Sequence, residues 1–456
     1  MQEHIQKRYA TGWRPLYLHR CENILICFRR YRNYNRLKYL IKRKTMYILN
    51  KIIEKCEYHS AKDWKPGETG NRTITIQQKD YTKCGKTELI NEVRDLENQK
   101  LIQVKWILRY SDIEKIQYSL EQLPQLYQLA EQEAQKNGDT FVPKYRLVQQ
   151  YQNKIEAEQK QGWQNVWIRS YYDSLLQKLH NIGDGKIPKE LEKFELYRDC
   201  LRGINALTEA IFKRVFSKRY LGNTKKFEKE VQAHIITIAK NYCNDVTEDM
   251  DDTSVLEQLL IKEYGQEMAL KGPLKLLIQE PNGTEQEIDT SNFKYGFVLN
   301  TQTLQHMTIK NEVVPFQRIV SIENKANFEA MTYSDDTLYV YSHGYYGPYE
   351  RSFLQKLAEI LDANQQMEYF HSGDLDYGGV KIFEYIQNRI FPKLQPLYMD
   401  VEIYEKYKDF AEPLEPQTLV KLEKTKIPIL QDLIDKLIQE EKGLEQEILL
   451  SFIGHL

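Results

Sequence analysis

Two aspartates, Asp374 and Asp376, stand one residue apart in Ser372-Gly373-Asp374-Leu375-Asp376-Tyr377-Gly378-Gly379. At the carboxyl end of a strand this spacing can aim both carboxylates the same way. Neither has a Lys or Arg beside it in sequence. Clustered carboxylates repel one another, and a hard cation such as Mg²⁺, which prefers oxygen ligands, relieves that repulsion. The paired glycines let the backbone turn tightly and let an anionic group approach a helix N-terminus. The chemistry is that of a metal site facing a phosphate; the purely structural alternative is an Asp-Gly turn with an N-cap. His343 and His371 flank the stretch and can orient water or contact phosphate, and Lys325 and Lys381 lie just beyond the acids.

The elements that must hold these groups are readable on both sides. Residues 367–371 read as a strand, breaking into the glycine-rich turn and then a helix over 380–390. Upstream, residues 316–322 form a largely apolar strand with Glu323-Asn324 at its end and a helical stretch over 325–331. A strand over 337–341, then His343-Gly344 and a helix over 349–361, come between. Strand, acid, helix, strand, helix, strand with two acids, helix is a parallel α/β unit. Its acids stand at the carboxyl ends of strands, where open α/β sheets place their ligands.

Ile322-Glu323-Asn324 together with Gly373-Asp374-Leu375-Asp376-Tyr377-Gly378-Gly379 resembles the Toprim domain of topoisomerases, primases and nucleases. With Ser342-His343-Gly344, Leu397-Tyr398-Met399-Asp400 and Leu444-Glu445-Gln446-Glu447 added, the last third of the chain resembles the C-terminal domain of JetD, the nuclease subunit of Wadjet plasmid-defence systems. The resemblance implies an α/β fold with a C-terminal Toprim domain, a Rossmann-like parallel sheet. It implies that Glu323, Asp374 and Asp376 hold Mg²⁺ or Mn²⁺, and that Glu447 is a fourth catalytic acid. It further implies a homodimer that cuts double-stranded DNA alongside an SMC-like ATPase complex of the JetABC type. Glu447 on a solvated helix face is the bland alternative.

Composition bounds the rest. A chain of 456 residues is too long for one ordinary core, so two or three domains are expected. Lys and Arg total 64 against 65 Asp and Glu, so no global charge announces a nucleic-acid partner and local distribution must carry that argument. Cys21, Cys27, Cys56, Cys84, Cys200 and Cys243 lack CxxC spacing and have no paired His, which fits reduced structural thiols rather than zinc or a disulfide frame. No apolar run is long enough for a bilayer, and the basic N-terminus lacks a signal-peptide pattern. A cytoplasmic protein without a membrane partner is expected.

Residues 1–45 are basic and aromatic: a nucleic-acid-contacting arm is one reading, an extension without structure of its own the other. Residues 46–111 read as helix, short strand, helix and wing strand, with Ile48, Leu49, Ile52 and Ile53 on one face and Thr87 capping the second helix. That order resembles a winged helix, with Lys83, Lys86 and Arg94 available to a duplex; a small helical packing module is the alternative. Cys84-Gly85-Lys86-Thr87 mimics the tail of a phosphate-binding loop, but Asp80 stands where its leading glycine belongs. Residues 112–269 are expected to be an almost wholly helical arm or dimerisation region, and 270–456 the catalytic domain. Within the latter, residues 274–278 and 286–288 read as a hairpin, and 444–452 as a last amphipathic helix.

Two rival functions follow from the same residues. A transesterase like the topoisomerase VI A subunit needs a tyrosine nucleophile on the winged helix, and Tyr81 is the nominee. A DNA-binding scaffold without catalysis needs only the fold.

Overall fold

A computed structural model of the chain describes residues 46–60, 62–107, 111–183, 186–280, 282–310, 314–364 and 366–450. The expected basic extension, Cys21, Cys27 and the end of the expected last helix lie outside the described residues. The chain is mixed α/β and divides into two compact units between Phe194 and Glu195.

In the first unit α1 (Tyr47–Tyr58) is followed by β1 (Asn71–Thr75), α2 (Gln78–Cys84), α3 (Lys86–Asn98), β2 (Gln103–Ile107) and β3 (Asp112–Ser119). The strands make a three-stranded antiparallel sheet in the order β1-β3-β2. Ile48, Leu49, Ile52 and Ile53 are buried together with Leu89, Val93 and Leu96 of α3 and Ile116 of β3. Burying each such side chain contributes ~1.5–3 kcal/mol, which is what holds short elements together. Met46 gives α1 no side-chain cap. Instead Glu92, buried on α3, accepts from the N–H groups of Ile48 and Leu49 at 2.8 and 3.0 Å and so closes that helix end. Asp80 is a buried structural carboxylate, accepting from Tyr47 Oη, Lys51 Nζ and the Gln77 amide.

Two sequence expectations are corrected here. Gly85, not Thr87, is the N-cap of α3, because only a residue tolerating φ 95° makes the tight turn out of α2. The helical stretch does not begin at residue 112: Ile113, Ile116 and Tyr118 of β3 face the core across a register shift in its pairing with β2, and helix resumes with α4 (Leu123–Lys136), α5 (Lys144–Gln159) and α6 (Val166–His180).

The second unit opens with α7 (Phe194–Asn205), β4 (Ile211–Phe212), α8 (Lys213–Leu221), α9 (Gln232–Tyr242), α10 (Asp252–Gln258) and β5 (Ile261–Lys262). Then come β6 (Glu267–Lys271), β7 (Lys275–Gln279), β8 (Glu285–Asp289), β9 (Phe297–Asn300), α11 (Thr301–Gln305) and β10 (Met307–Ile309). The expected hairpin is β7–β8, with Ile278 opposite Gln286. The α/β core follows as β11 (Arg318–Ile322), α12 (Lys325–Ala330), β12 (Thr337–Tyr341), α13 (Pro348–Asn364), β13 (Glu368–Ser372) and α14 (Tyr377–Arg389). It is completed by β14 (Gln395–Pro396), α15 (Val401–Tyr407), β15 (Glu412–Pro413), α16 (Pro416–Lys424), α17 (Gln431–Glu440) and β16 (Lys442–Gly443).

Six strands share one sheet in the order β14-β13-β11-β12-β6-β9. The first four run parallel, as expected, while β6 and β9 extend the sheet antiparallel. Lys271, at the end of β6, is buried, and its ammonium donates to the carbonyls of Phe328, Glu329 and Met331 at the C-terminal end of α12. Three acceptors satisfy all three of its protons. The expected amphipathic helix at 444–452 is an extended segment running into a 3₁₀ turn over Gln446–Leu449. Leu444 exchanges both backbone hydrogen bonds with Leu375, and those bonds are unavailable to a helix.

Candidate metal centre

The carboxyl ends of β11 and β13 are level because the two strands are parallel neighbours, with Ile322 opposite Ser372. Glu323 follows the first and Gly373-Asp374 the second, and the Glu323 amide continues the ladder by donating to Ser372 O at 3.0 Å. Glu323 turns its carboxylate across the gap, and Oε2 accepts from the Asp374 amide at 3.3 Å. Gly373 lies under that crossing. A Cβ there would collide with Glu323 Oε2 and come within 3.0 Å of His371 Nε2, so the glycine makes room for the acid.

Asp374 Oδ1 accepts from the Gln446 amide at 2.7 Å. Asp376 is the N-cap of α14, with Oδ1 accepting from the Gly379 amide at 2.8 Å. The capping and site readings therefore coexist: one oxygen serves the helix end. Gly379 has to be a glycine because a Cβ would overlap the Asp374 carbonyl.

Among the described residues, the acidic trio that brings one carboxylate oxygen each within 4.8 Å of the others is Asp374, Glu445 and Glu447. Glu447 is therefore joined by Glu445, which the sequence reading quoted in a motif without assigning it a role. Both follow from the main-chain pairing of Leu444 with Leu375, which lays this segment along the aspartate turn. Gln446 between them points the other way and is buried. Its Oε1 accepts from the Asn324 amide (2.9 Å), its Nε2 donates to Ser372 Oγ (2.7 Å), and its carbonyl accepts from Asn327 Nδ2 (3.0 Å). One residue, through its side chain and its main-chain carbonyl, thus locks the segment to the ends of β11, β13 and α12.

Electrostatics agree with this crowding. Burial, reinforced by the charge of Asp374, pushes the Glu323 carboxyl up to about 8. Burial pushes Asp374 up to about 7; the Gln446 amide opposes it, and Asp376, Glu445 and Glu447 add to it. Asp376 is raised by burial, against the pull of the Gly379 and Gly378 amides. These are carboxylates held close by the fold at an energetic cost, the condition that a divalent ion relieves. An all-oxygen donor set with exposed members suits Mg²⁺ or Mn²⁺, which retain waters. His371 lies beneath, fully buried: Nδ1 meets Ser321 Oγ at 3.1 Å, and Nε2 has no partner among the described residues. Burial drives its pKa down to about 3, so the ring is neutral.

The structure does not bring His343 to this cluster as a free group. Its Nε2 sits 3.1 and 3.2 Å from the two oxygens of buried Glu350, which also accepts from the Gly347 amide. Burial acts to lower its pKa, but the hydrogen bond and charge of Glu350 outweigh this and raise it. His343 adopts φ 44°, which fits its turn beside Gly344. Asp400 caps α15 through the Ile403 amide.

In the first unit Lys83 on α2 and Arg94 on α3 are exposed, and Arg94 lies over the Trp106 ring. Lys86 pairs with Asp112 at 3.5 Å and lies over Tyr81. Tyr81 donates to the Asp112 carboxylate and accepts from the Ile113 amide; burial, followed by Asp112, pushes its hydroxyl up to about 12. The described cysteines Cys56, Cys84, Cys200 and Cys243 are buried free thiols. No described helix is long and apolar enough to cross a membrane.

Residues 277–453 match the family model of the C-terminal region of Wadjet protein JetD. Over 378 residues the chain is 29% identical to Wadjet protein JetD of Bacillus cereus (strain Q1), spanning 81% of this chain and 87% of that protein. The matched region contains Glu323, Asp374, Asp376, Glu445 and Glu447, and the match to the relative extends well upstream of it. The chain is similar to Wadjet protein JetD over most of its length, and residues 277–453, within the second unit, match the C-terminal region of that family.

Proposed function

We propose that the chain is a Toprim-type, metal-dependent endodeoxyribonuclease of a Wadjet plasmid-defence system, hydrolysing phosphodiesters of circular DNA. The observation that carries the reading is the level placement of Glu323 and Asp374 across adjacent parallel strands, with Asp376 capping the helix that follows. Asp374, Glu445 and Glu447, with Glu323 and Asp376 around them, would hold Mg²⁺ or Mn²⁺. A bound ion would supply Lewis-acid polarisation of the phosphodiester and a lowered pKa for a coordinated water, whose hydroxide form would be the nucleophile.

The remaining work falls to the chain's own groups. Gln446 fixes the orientation of Asp374 through its amide and anchors the two glutamates on either side. The N-terminal turn of α14, kept open by Gly378 and Gly379, offers a partial positive charge to an incoming phosphate. Neutral His371 supports the floor through Ser321, whose hydroxyl also meets Tyr346 Oη at 2.9 Å.

The helix–strand–helix–helix–strand–strand order of residues 47–119 supports a winged-helix reading of the first unit, with Lys83, Lys86 and Arg94 contacting duplex DNA. A homodimer working with an SMC-like ATPase complex completes the proposal, on the strength of the relative's being a Wadjet protein. The transesterase alternative is disfavoured because the Tyr81 hydroxyl is held by Asp112 and made less acidic, the opposite of an activated nucleophile.

The test is incubation of the pure chain with circular and linear DNA, with and without Mn²⁺. Mn²⁺-dependent cutting that disappears in both Glu323→Gln and Asp374→Asn is expected. Equal cutting by the double variant would assign the activity to a contaminant and leave a non-catalytic scaffold.

A further inference from the structure

The helical stretch before the sheet carries a charge pattern that the metal centre does not use. Residues 213–226 read Lys-Arg-Val-Phe-Ser-Lys-Arg-Tyr-Leu-Gly-Asn-Thr-Lys-Lys: six basic residues and no acid, in a chain whose overall charge is −1. They form α8 and the turn after it. The helix buries Phe216, Ser217 and Leu221, and Phe216 packs edge-on against Phe227 at 5.3 Å. The opposite face therefore carries Arg214, Lys218 and Arg219, with Lys225 following in the turn, all exposed.

Of the six, Lys213 alone meets a carboxylate, Glu263 at 3.0 Å. The side chains of Arg214, Arg219, Lys225 and Lys226 have no ion pair among the described residues, and Lys218 donates to the Gly222 carbonyl at the helix end. The turn itself is fixed. Gly222 caps α8 at φ 79°, the Phe227 amide donates to Ser217 Oγ at 3.0 Å, and the Ser217 hydroxyl donates to the Asn223 carbonyl. Beside it, β4 and β5 pair in parallel and present two aromatic rings, Phe212 (47% exposed, with Lys262 Nζ 5.0 Å from its centroid) and Tyr264 (76% exposed).

A protein-binding face mixes charge signs and is depleted of lysine at its centre. A rigid, predominantly basic surface with aromatics at its rim, its acid Glu263 already paired with Lys213, is what a phosphate backbone selects. We infer that α8, its following turn and the β4–β5 edge form a nucleic-acid contact of the second unit, separate from Lys83, Lys86 and Arg94, that grips the sugar–phosphate backbone of duplex DNA without reading its sequence. The inference rests on the proposed DNA reading only for the identity of the polyanion. The side chains provide point charges and forks for phosphate oxygens, and the fixed turn limits the ordering that binding requires.

The test is fluorescence anisotropy of a labelled linear duplex titrated with the full chain over a series of salt concentrations, without divalent cation so that nothing is cut. The quadruple variant Arg214→Ala, Lys218→Ala, Arg219→Ala, Lys225→Ala is compared with wild type and with Lys83→Ala, Lys86→Ala, Arg94→Ala. The quadruple variant should bind about tenfold or more weaker at low salt, to the same extent on two unrelated sequences. Its log–log salt slope should be shallower by about 3 to 4, close to one per lost contact. Circular dichroism should match wild type and the melting midpoint should stay close to it, since these side chains are exposed and only the solvent-facing Lys218–Gly222 bond is lost. A slope equal to that of wild type overturns the inference while leaving the nuclease reading standing. No duplex binding by wild type overturns both. Unchanged DNA binding with loss of affinity for an acidic protein would reassign the face to a protein partner.

Discussion

The main-chain amide of Gln446 donates to Oδ1 of Asp374 across 72 positions of sequence, at 2.7 Å. That bond, together with the Leu375–Leu444 pairing next to it, places Glu445 and Glu447 over the aspartate turn. The acid centre is thus a composite, and its parts respond differently to substitution.

Gln446→Ala removes the side-chain partners of the Asn324 amide and Ser372 Oγ while leaving its own main-chain bonds in place. Orphaning buried polar groups costs ~1–3 kcal/mol, so the second unit should melt several degrees lower. Cation affinity, read by titration calorimetry with Mn²⁺, should fall with it. Unchanged affinity would mean that the glutamates are positioned without the clamp.

Gly373→Ala is the sharper probe. The residue is not in the left-handed region, so the backbone accepts alanine; what the new methyl meets is Glu323 Oε2 and His371 Nε2. Glu323 has to swing away. Folding should change by no more than ~1 kcal/mol, a typical value for a side chain that can move, while Mn²⁺-dependent cleavage drops by about tenfold or more. Wild-type cleavage in this variant would count against a role for Glu323 at the centre.

Without divalent cation, the clustered acids make stability depend on pH in an unusual direction. Glu323, at about 8 against an ordinary 4.5, and Asp374, at about 7 against 3.8, keep protons in the folded chain that the unfolded chain has released. The native state binds more protons over that interval, so stability should fall as pH rises from about 4 to about 8. Glu323→Gln and Asp374→Asn should each flatten the dependence and raise the melting midpoint above neutral pH, as followed by differential scanning calorimetry. Mn²⁺ at about a hundred times its dissociation constant should offset the loss by ~2.7 kcal/mol.

Tyr81→Phe separates hydrolysis from transesterification. The variant loses the bond to Asp112 and should soften the first unit by ~1 kcal/mol, yet cut DNA at the wild-type rate and leave free ends. Loss of cutting, or a tyrosyl–DNA adduct in wild type, would restore the rival mechanism.

Much of the acid cluster was legible in sequence because β11 and β13 each lead into an acid: the strand boundaries near Glu323 and Asp374 fell within two residues of those found. The place of Glu445 in the acid cluster was not legible. Nothing local distinguishes Glu445-Gln446-Glu447 from a solvated helix; the distinction lies in Leu444 spending its backbone bonds on Leu375, a contact 69 positions away. The pairing of His343 with Glu350, in the first turn of the next helix, was not legible for a similar reason, since Glu350 is buried only by tertiary packing. In the first unit β3 was hidden by its position after an apolar strand and before a long helical run, and the strand pairings that define it are non-local.

The Leu375–Leu444 pairing also sets a schedule. A chain emerging from the ribosome can complete β11, β13 and the aspartate turn well before the segment that bears Glu445 and Glu447 has been made. Until that segment is threaded back, Asp374 lacks both its amide donor and its two acidic neighbours, so a nascent or C-terminally clipped polypeptide holds an incomplete acid cluster. The acid cluster is therefore among the last parts of the second unit to be assembled during synthesis.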